Sequence, residues 1–413
     1  MALKTMRAFK AVTFACVALI TLSSGVWALD KAAVERNFED WLQNEVWPEA
    51  RGEGVSRARF EAALNGVRVD WDLPGLNIPT TQKRAQKQQE FSSPGRYFRQ
   101  SIIEGIARIG KSKARTHART LETIERKTGV PGRIVLAIWG RESGFGNVGS
   151  DHDGFEVLAN RGFFGPSKDY FRGELVAALT IADGARLASS WAGALGQPQM
   201  MPTSFLAYGA DGDGDGTIDI WRSEPDTLAS IAKFLADHDW VAGRDWGYEV
   251  KLPKGLSCAL EGSDNTRPIR DWADLGITRI SGRPFPQAEM ELEGSLLLPA
   301  GTHGPAFIVT PNFYVLKRYN RSDLYALFIG NAADRIAYGM GDFRSRWSVP
   351  GGLYRSDVAA IQEALIEKGY DVGGADGLAG FKTRRSIGAW QATTGRTPTC
   401  FPDKRVKAAL LGG

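Results

Sequence analysis

The run VLAIWGRESGFGNVGS, residues 135–150, sets one Arg–Glu pair between an apolar stretch and a glycine-rich one. The longer segment PGRIVLAIWGRES predicts a helix with Pro131 in its first turn, where proline's missing N–H costs nothing. The glycines after Glu142 predict its end. A carboxyl group flanked by VLAIWG and SGFG is at least partly desolvated, which disfavours its charged form and raises its pKa. A carboxylic acid that keeps its proton near neutral pH can act as a general acid. The same residues also fit a helix-end glutamate paired with Arg141 or with a neighbouring helix. On this stretch alone both readings stand.

Outward from that helix, period-3.6 apolar positions recur in AAVERNFEDWLQNEVWPEA, KARTHARTLETIERKTG, DYFRGELVAALTIADGARLAS and PDTLASIAKFLADHDW, so residues 30 to about 240 read as mainly helical. From about 247 to 310 the pattern shifts to short apolar runs bounded by Gly and Pro (YEVKLP, EMELEGSLLLPAG, GPAFIVT), which read as strands. Helical pattern resumes in NFYVLKRYNRSDLYALFIGNAADRIAYG. The fold class is therefore α+β, mainly α. Residues 341–352, GDFRSRWSVPGG, read as a linker, and 353–413 form a small helical unit able to hold its own core.

Composition narrows the class further. At 413 residues, with 51 basic and 47 acidic side chains and no Lys/Arg block, the chain is globular and carries no nucleic-acid footprint. Twelve Trp supply flat apolar rings suited to sugar faces or to cores. The first 28 residues have a basic start (Lys4, Arg7, Lys10), an apolar stretch from Ala11 to Leu22 and a small-residue approach to Ala28. They read as a signal peptide cleaved near Ala28, with an apolar run too short to span a bilayer. Cys16 falls too early in that run for a lipoprotein. The mature chain, 29–340 plus linker and tail, is expected to be exported with no membrane span. Cys258 and Cys400 either pair in an oxidising compartment or remain two buried thiols.

The motifs AIWGRESGFG, SWAGALGQPQMMPTSF, an Asp/Gly loop ending in DIW, and NFYVLKRYN occur in the order that resembles the membrane-bound lytic murein transglycosylase B family and its soluble relatives. The resemblance covers roughly residues 30 to 340. It implies a lysozyme-like catalytic core, with Glu142 at the family's catalytic glutamate. It also implies cleavage of the β-1,4 bond between N-acetylmuramic acid and N-acetylglucosamine without water, giving 1,6-anhydro ends. Substrate assistance by the N-acetyl group replaces a second carboxylate in that chemistry. Asp151 and Asp153 lie close in sequence and are the candidates for a hydrolase's second carboxylate, although GSDHDG reads as a solvated loop. By the same resemblance Ser190 and Gln199 orient the sugar, Met200 is a substrate-binding residue where phenylalanine is usual, and Asn312, Tyr314 and Tyr319 wall the groove.

DGDGDGTIDIWR, residues 211–222, matches the start of an EF-hand loop: Asp211, Asp213 and Asp215 at positions one, three and five, Gly216 at the turn, Thr217 offering a carbonyl and Asp219 at position nine. Position twelve is Arg222 rather than glutamate. The family resemblance points to a later ligand, Asp226, with Glu224 also in reach. Clustered carboxylates repel without a cation, so a structural Ca2+ is expected, with no organic cofactor. The tail VAAIQEALIEKGYDVGGADGLAGFKTRRSIGAWQATTG resembles the small helical peptidoglycan-binding module, with Ile361, Leu365, Ile387 and Trp390 as its core. The expected protein is a periplasmic monomer acting on peptidoglycan glycan strands. A muramidase hydrolysing the same bond and a non-catalytic wall-binding scaffold are the other readings these residues allow.

Overall fold

The computed structural model describes residues 30–76, 94–147, 149, 151–181 and 186–412, so the leader expected over residues 1–28 lies outside the described residues. The helix predicted from the opening run spans Gly132–Ser143. Every residue from Ile134 to Gly140 on it is buried. A helix apolar on all sides needs partners on all sides, and it has them in Gln100–Thr116, Glu224–Ala236 and Asp323–Tyr338. Pro131 stands one residue earlier than expected, as the extended N-cap (φ −63°, ψ 136°) rather than in the first turn. The C-terminal stop is as sharp as the glycines imply. Gly144 is left-handed at φ 57°, Phe145 follows at φ 63°, and the phenyl ring folds back over Gly140, where a Cβ would come within 2.6 Å of it. Glu142 thus stands in the last turn, where the buried helix meets the surface.

A second core joins the N-terminal helices, through Phe38, Trp41 and Phe60, to the helices Gly154–Phe164 and Lys168–Ile181. Between them β1 (His152–Asp153) pairs antiparallel with β2 (Ala188–Ser189). The β-rich region expected at 247–310 is present as β3 (Gly247–Lys251), β4 (Arg267–Pro268), β5 (Thr278–Arg279), β6 (Glu293–Leu297) and β7 (Ala306–Val309). They form one antiparallel sheet in the order β4-β6-β7-β3-β5. Among the described residues no helix is long and apolar enough to cross a membrane.

The tail folds as three helices, Arg355–Glu367, Phe381–Thr393 and Lys404–Leu411, over a core containing Ile361, Leu365, Ile387 and Trp390. It is bound to the larger domain rather than strung from it. Cys258 and Cys400, left open on sequence grounds, form a disulfide joining the sheet domain to the tail. Beside it Arg384, 2% exposed, donates to both oxygens of the fully buried Glu261. Residues 341–352 contain no helix or strand, yet they are pinned. Trp347 stacks on Phe98 at 5.3 Å, and Phe343 meets the edge of Phe307 at 4.9 Å.

Candidate active site

Four elements converge on Glu142. The Tyr325 hydroxyl, on the helix Asp323–Tyr338, donates to Glu142 Oε1 at 2.5 Å. Tyr325 is 2% exposed, so this bond is also what satisfies a hydroxyl that the fold has buried. Tyr319, at the end of the preceding helix, donates to the Pro198 carbonyl at 2.7 Å and ties the 189–200 loop down beside the acid. Burial raises both phenols well above their ordinary pKa, and the nearby Glu142 charge adds to it. They act as fixed neutral donors.

Burial likewise pushes the Glu142 carboxyl above the usual carboxylate range, against the opposing pulls of the Tyr325 hydrogen bond and the Arg141 charge. Arg141 does not ion-pair with Glu142. Its guanidinium lies over the rings of Tyr97 (4.9 Å) and Phe328 (4.8 Å), so it acts through space only. The ion-pair reading of the opening stretch fails on this geometry, and the desolvated-acid reading stands. Chemically, Oε1 is anchored by one donor, which leaves the other oxygen to carry and exchange a proton.

The loop facing the acid is a closed structure. Leu195 and Met200 exchange backbone hydrogen bonds at 2.7 and 3.1 Å, and Gln197 is consumed by Trp139 Nε1 and the Trp221 carbonyl. Gln199, at φ 54°, turns its amide onto the Gly196 carbonyl at 2.9 Å and keeps its side-chain oxygen available. Ser190 Oγ accepts from the Ala194 N–H at 3.2 Å, so its hydroxyl hydrogen stays free to donate. Met200, 3% exposed, belongs to the core with Trp139 and Phe145. Its side chain is packing and not a sugar contact, which corrects its assignment as a substrate residue.

One of the three wall residues is also placed differently from expectation. Asn312 is fully buried, and its amide is spent on backbone: Oδ1 accepts from Val241 N–H, and Nδ2 donates to the carbonyls of Val241 and Arg244. It brackets the 241–244 turn from a fully buried position with both amide hydrogens spent. Tyr314 lines a cavity of about 360 Å³ with His238, Asp239, Ser295 and Arg318. Of the wall only Tyr319 reaches the acid. Tyr325 is not legible as a site residue in the sequence, because a tyrosine at an apolar helical position reads as core. The usable signal was the need of a buried hydroxyl for an acceptor. Asp153 caps the helix Gly154–Phe164 through the Phe155 N–H and also accepts from Leu187 N–H.

In the Asp/Gly loop, carboxylate oxygens of Asp211, Asp213 and Asp226 lie within 4.8 Å of one another. Asp226 comes from the first turn of the helix Glu224–Ala236. Glu224 points elsewhere, to Lys113 Nζ and His117 Nε2, both at 2.6 Å. Asp215 Oδ1 accepts from Thr217 N–H, and Asp219 Oδ1 from Trp221 and Arg222 N–H; neither carboxylate belongs to the close trio.

The transglycosylase SLT domain model matches residues 37–334, and a putative peptidoglycan binding domain model matches 354–410. Membrane-bound lytic murein transglycosylase B of Escherichia coli K12 is 32% identical over 217 residues; the aligned part is 51% of this chain and 58% of that protein. SltB3 from Pseudomonas aeruginosa, solved in complex with NAG-anhNAM-pentapeptide, has a similar structure: TM-score 0.78, 32% identity, covering 91% of this chain and 99% of that one. The Escherichia coli lytic transglycosylase Slt35, solved in complex with calcium, matches at TM-score 0.57 and 25% identity over 74% of this chain and 94% of that one. With a family model spanning most of its length and the acid on the helix that carries the first motif, the chain belongs to the transglycosylase SLT family, with a peptidoglycan-binding domain behind the catalytic one.

Proposed function

We propose that this protein is an exported, monomeric lytic transglycosylase that cuts the MurNAc–GlcNAc β-1,4 bond of peptidoglycan and leaves 1,6-anhydro-MurNAc ends. The observation that carries the reading is Glu142, a desolvated carboxyl anchored through one oxygen by Tyr325. Protonated, it gives its proton to the leaving O4 as the C1–O4 bond breaks. As the carboxylate it takes the proton of the muramyl C6 hydroxyl while O6 bonds to C1, so the acid is regenerated and no water is consumed. A hydrolase of the two-carboxylate type needs a second acid for nucleophile or base. Asp153, one of the two nearest in sequence, is committed to capping a helix. Mass spectrometry of digested sacculi tests the reading: anhydro ends support it, and reducing muramic acid ends with incorporation of 18O from labelled water overturn it in favour of a muramidase. Export is supported by the Cys258–Cys400 disulfide, a bond that persists in oxidising compartments. The tail is proposed to hold the enzyme on the glycan and so raise the local substrate concentration.

We also propose that the Asp/Gly loop holds Ca2+ through Asp211, Asp213 and Asp226, with carbonyl oxygen from the loop, Thr217 included. Oxygens within 4.8 Å of one another can share an ion at calcium's ~2.4 Å bond length. Hydrogen bonds from the Gly216 and Gly214 N–H groups hold the Asp211 carboxyl below the usual range, so it presents charge to a cation across the physiological pH range. Bound only by the folded loop, calcium at about a hundred times its Kd stabilises by about 2.7 kcal/mol. Calorimetry with added EDTA is expected to show a lower melting temperature that Ca2+ restores and Mg2+ does not. An unchanged melting temperature would sink the site.

A further inference from the structure

The loop that carries Ser190 and Gln199 also displays an indole that nothing above uses. Ser190–Gly193 is a tight turn, closed by Gly193 N–H donating to the Ser190 carbonyl at 2.9 Å. Gly193 is required there: φ is +88°, and a Cβ would come within 2.5 Å of Leu158. The turn pushes Trp191 outward, 52% exposed.

Behind Trp191 lies Arg161, 7% exposed, with its guanidinium 5.1 Å from the indole and 5.4 Å from the Phe171 ring. Its NH2 group donates to the carbonyls of Trp191 and Pro74, while Nε is buried with no partner. Burial pulls the Arg161 pKa below its ordinary value, and no carboxylate among the described residues opposes it. A buried cation without an acid is expensive. What Arg161 does is grip Trp191 twice, at its ring face and at its carbonyl.

We propose that Trp191 is a glycan-stacking platform, held rigid from behind by Arg161 as a positioning residue, for an N-acetylhexosamine ring of the strand that runs on from Glu142. One indole face is occupied by the cation, and the exposed remainder offers a flat apolar surface to the C–H face of a pyranose. A ring fixed before binding loses little entropy when the sugar arrives. Its register to the acid is set, because the same loop is closed by the Leu195–Met200 pair and tied by Tyr319 at Pro198. The proposal rests on the glycan-cleaving reading for its substrate class.

Binding is read in full-length protein in the Glu142→Gln background, by titrating tryptophan fluorescence or heat with chitotetraose, and turnover is read with solubilised murein in the Glu142 background. Trp191→Ala is expected to raise the Kd about tenfold and the half-saturating murein concentration similarly, with turnover at saturation within about twofold. Trp191→Phe keeps most of the affinity. Arg161→Met weakens binding in the same direction and adds little to Trp191→Ala in the double variant, the non-additivity of two residues acting as one unit. Unchanged affinity in Trp191→Ala, or fully additive losses, overturns the proposal. If the parent releases no murein fragments while Trp191→Ala still loses chitotetraose, the transglycosylase reading fails and the platform stands.

Discussion

Glu142→Gln is expected to abolish lysis, reducing turnover by about 10³-fold, while leaving the fold as stable as the parent at acid pH and more stable at neutral pH. The loss follows from the chemistry: an amide can neither give a proton to O4 nor take one from O6. The stability gain follows from linkage. Burial raises the folded carboxyl above its ordinary value of 4.5, so the native state binds its proton more tightly than the unfolded chain does. The stability this confers is fully present below the unfolded value and is lost as pH rises through the folded one. Glutamine keeps an oxygen for the Tyr325 hydroxyl and carries no charge, so it escapes that loss. Melting curves of parent and variant should coincide near pH 4 and separate above it, the variant higher. The parent's turnover should fall on the alkaline side as Glu142 loses its proton. A variant that still digests sacculi, or one less stable at every pH, would remove Glu142 from its role.

Local signals are legible in the sequence, and the partners that side chains take across the fold are not. The VLAIWG run marks Glu142 because seven successive buried residues, Ile134 to Gly140, leave a trace that needs no tertiary information. The repeated Asp-Gly spacing marks Asp211 and Asp213 as loop carboxylates, whereas the approach of Asp226 depends on where the next helix starts. Tyr325 and Asn312 show the limit. Both are polar groups on helices, and whether the amide or hydroxyl turns to substrate, acid or backbone is decided by neighbours 71 and 183 residues away in sequence. The disulfide, across 142 residues, and the pinned 341–352 segment are equally long-range facts. Composition marks that segment as a linker, while its two aromatic rings, the Arg335–Asp342 ion pair and the Arg344 and Ser345 N–H bonds to the Glu249 carboxylate attach it.

The largest stability effect is expected at Arg384, one of two adjacent arginines in FKTRRS that look alike in sequence. Arg385 reaches Asp264 near the surface. Arg384 is buried, bridging Glu261, Asp323 and the Ala379 carbonyl. These two acids hold it charged despite its burial. Arg384→Leu leaves Glu261, fully buried, with only the Leu298 N–H for its oxygens, while Asp323 keeps Lys317 at 2.6 Å. Removing one partner of a buried pair costs about 3–5 kcal/mol, because an uncompensated charge stays behind. Removing both often costs little, so Arg384→Leu/Glu261→Leu should recover most of the loss in calorimetry. The pair spans the two domains beside the Cys258–Cys400 bridge, so the single variant should shed its tail to limited proteolysis only once the disulfide is reduced. If the double variant were as unstable as Arg384→Leu, the loss would come from packing, and the ion pair would not be what joins the wall-binding tail to the catalytic domain.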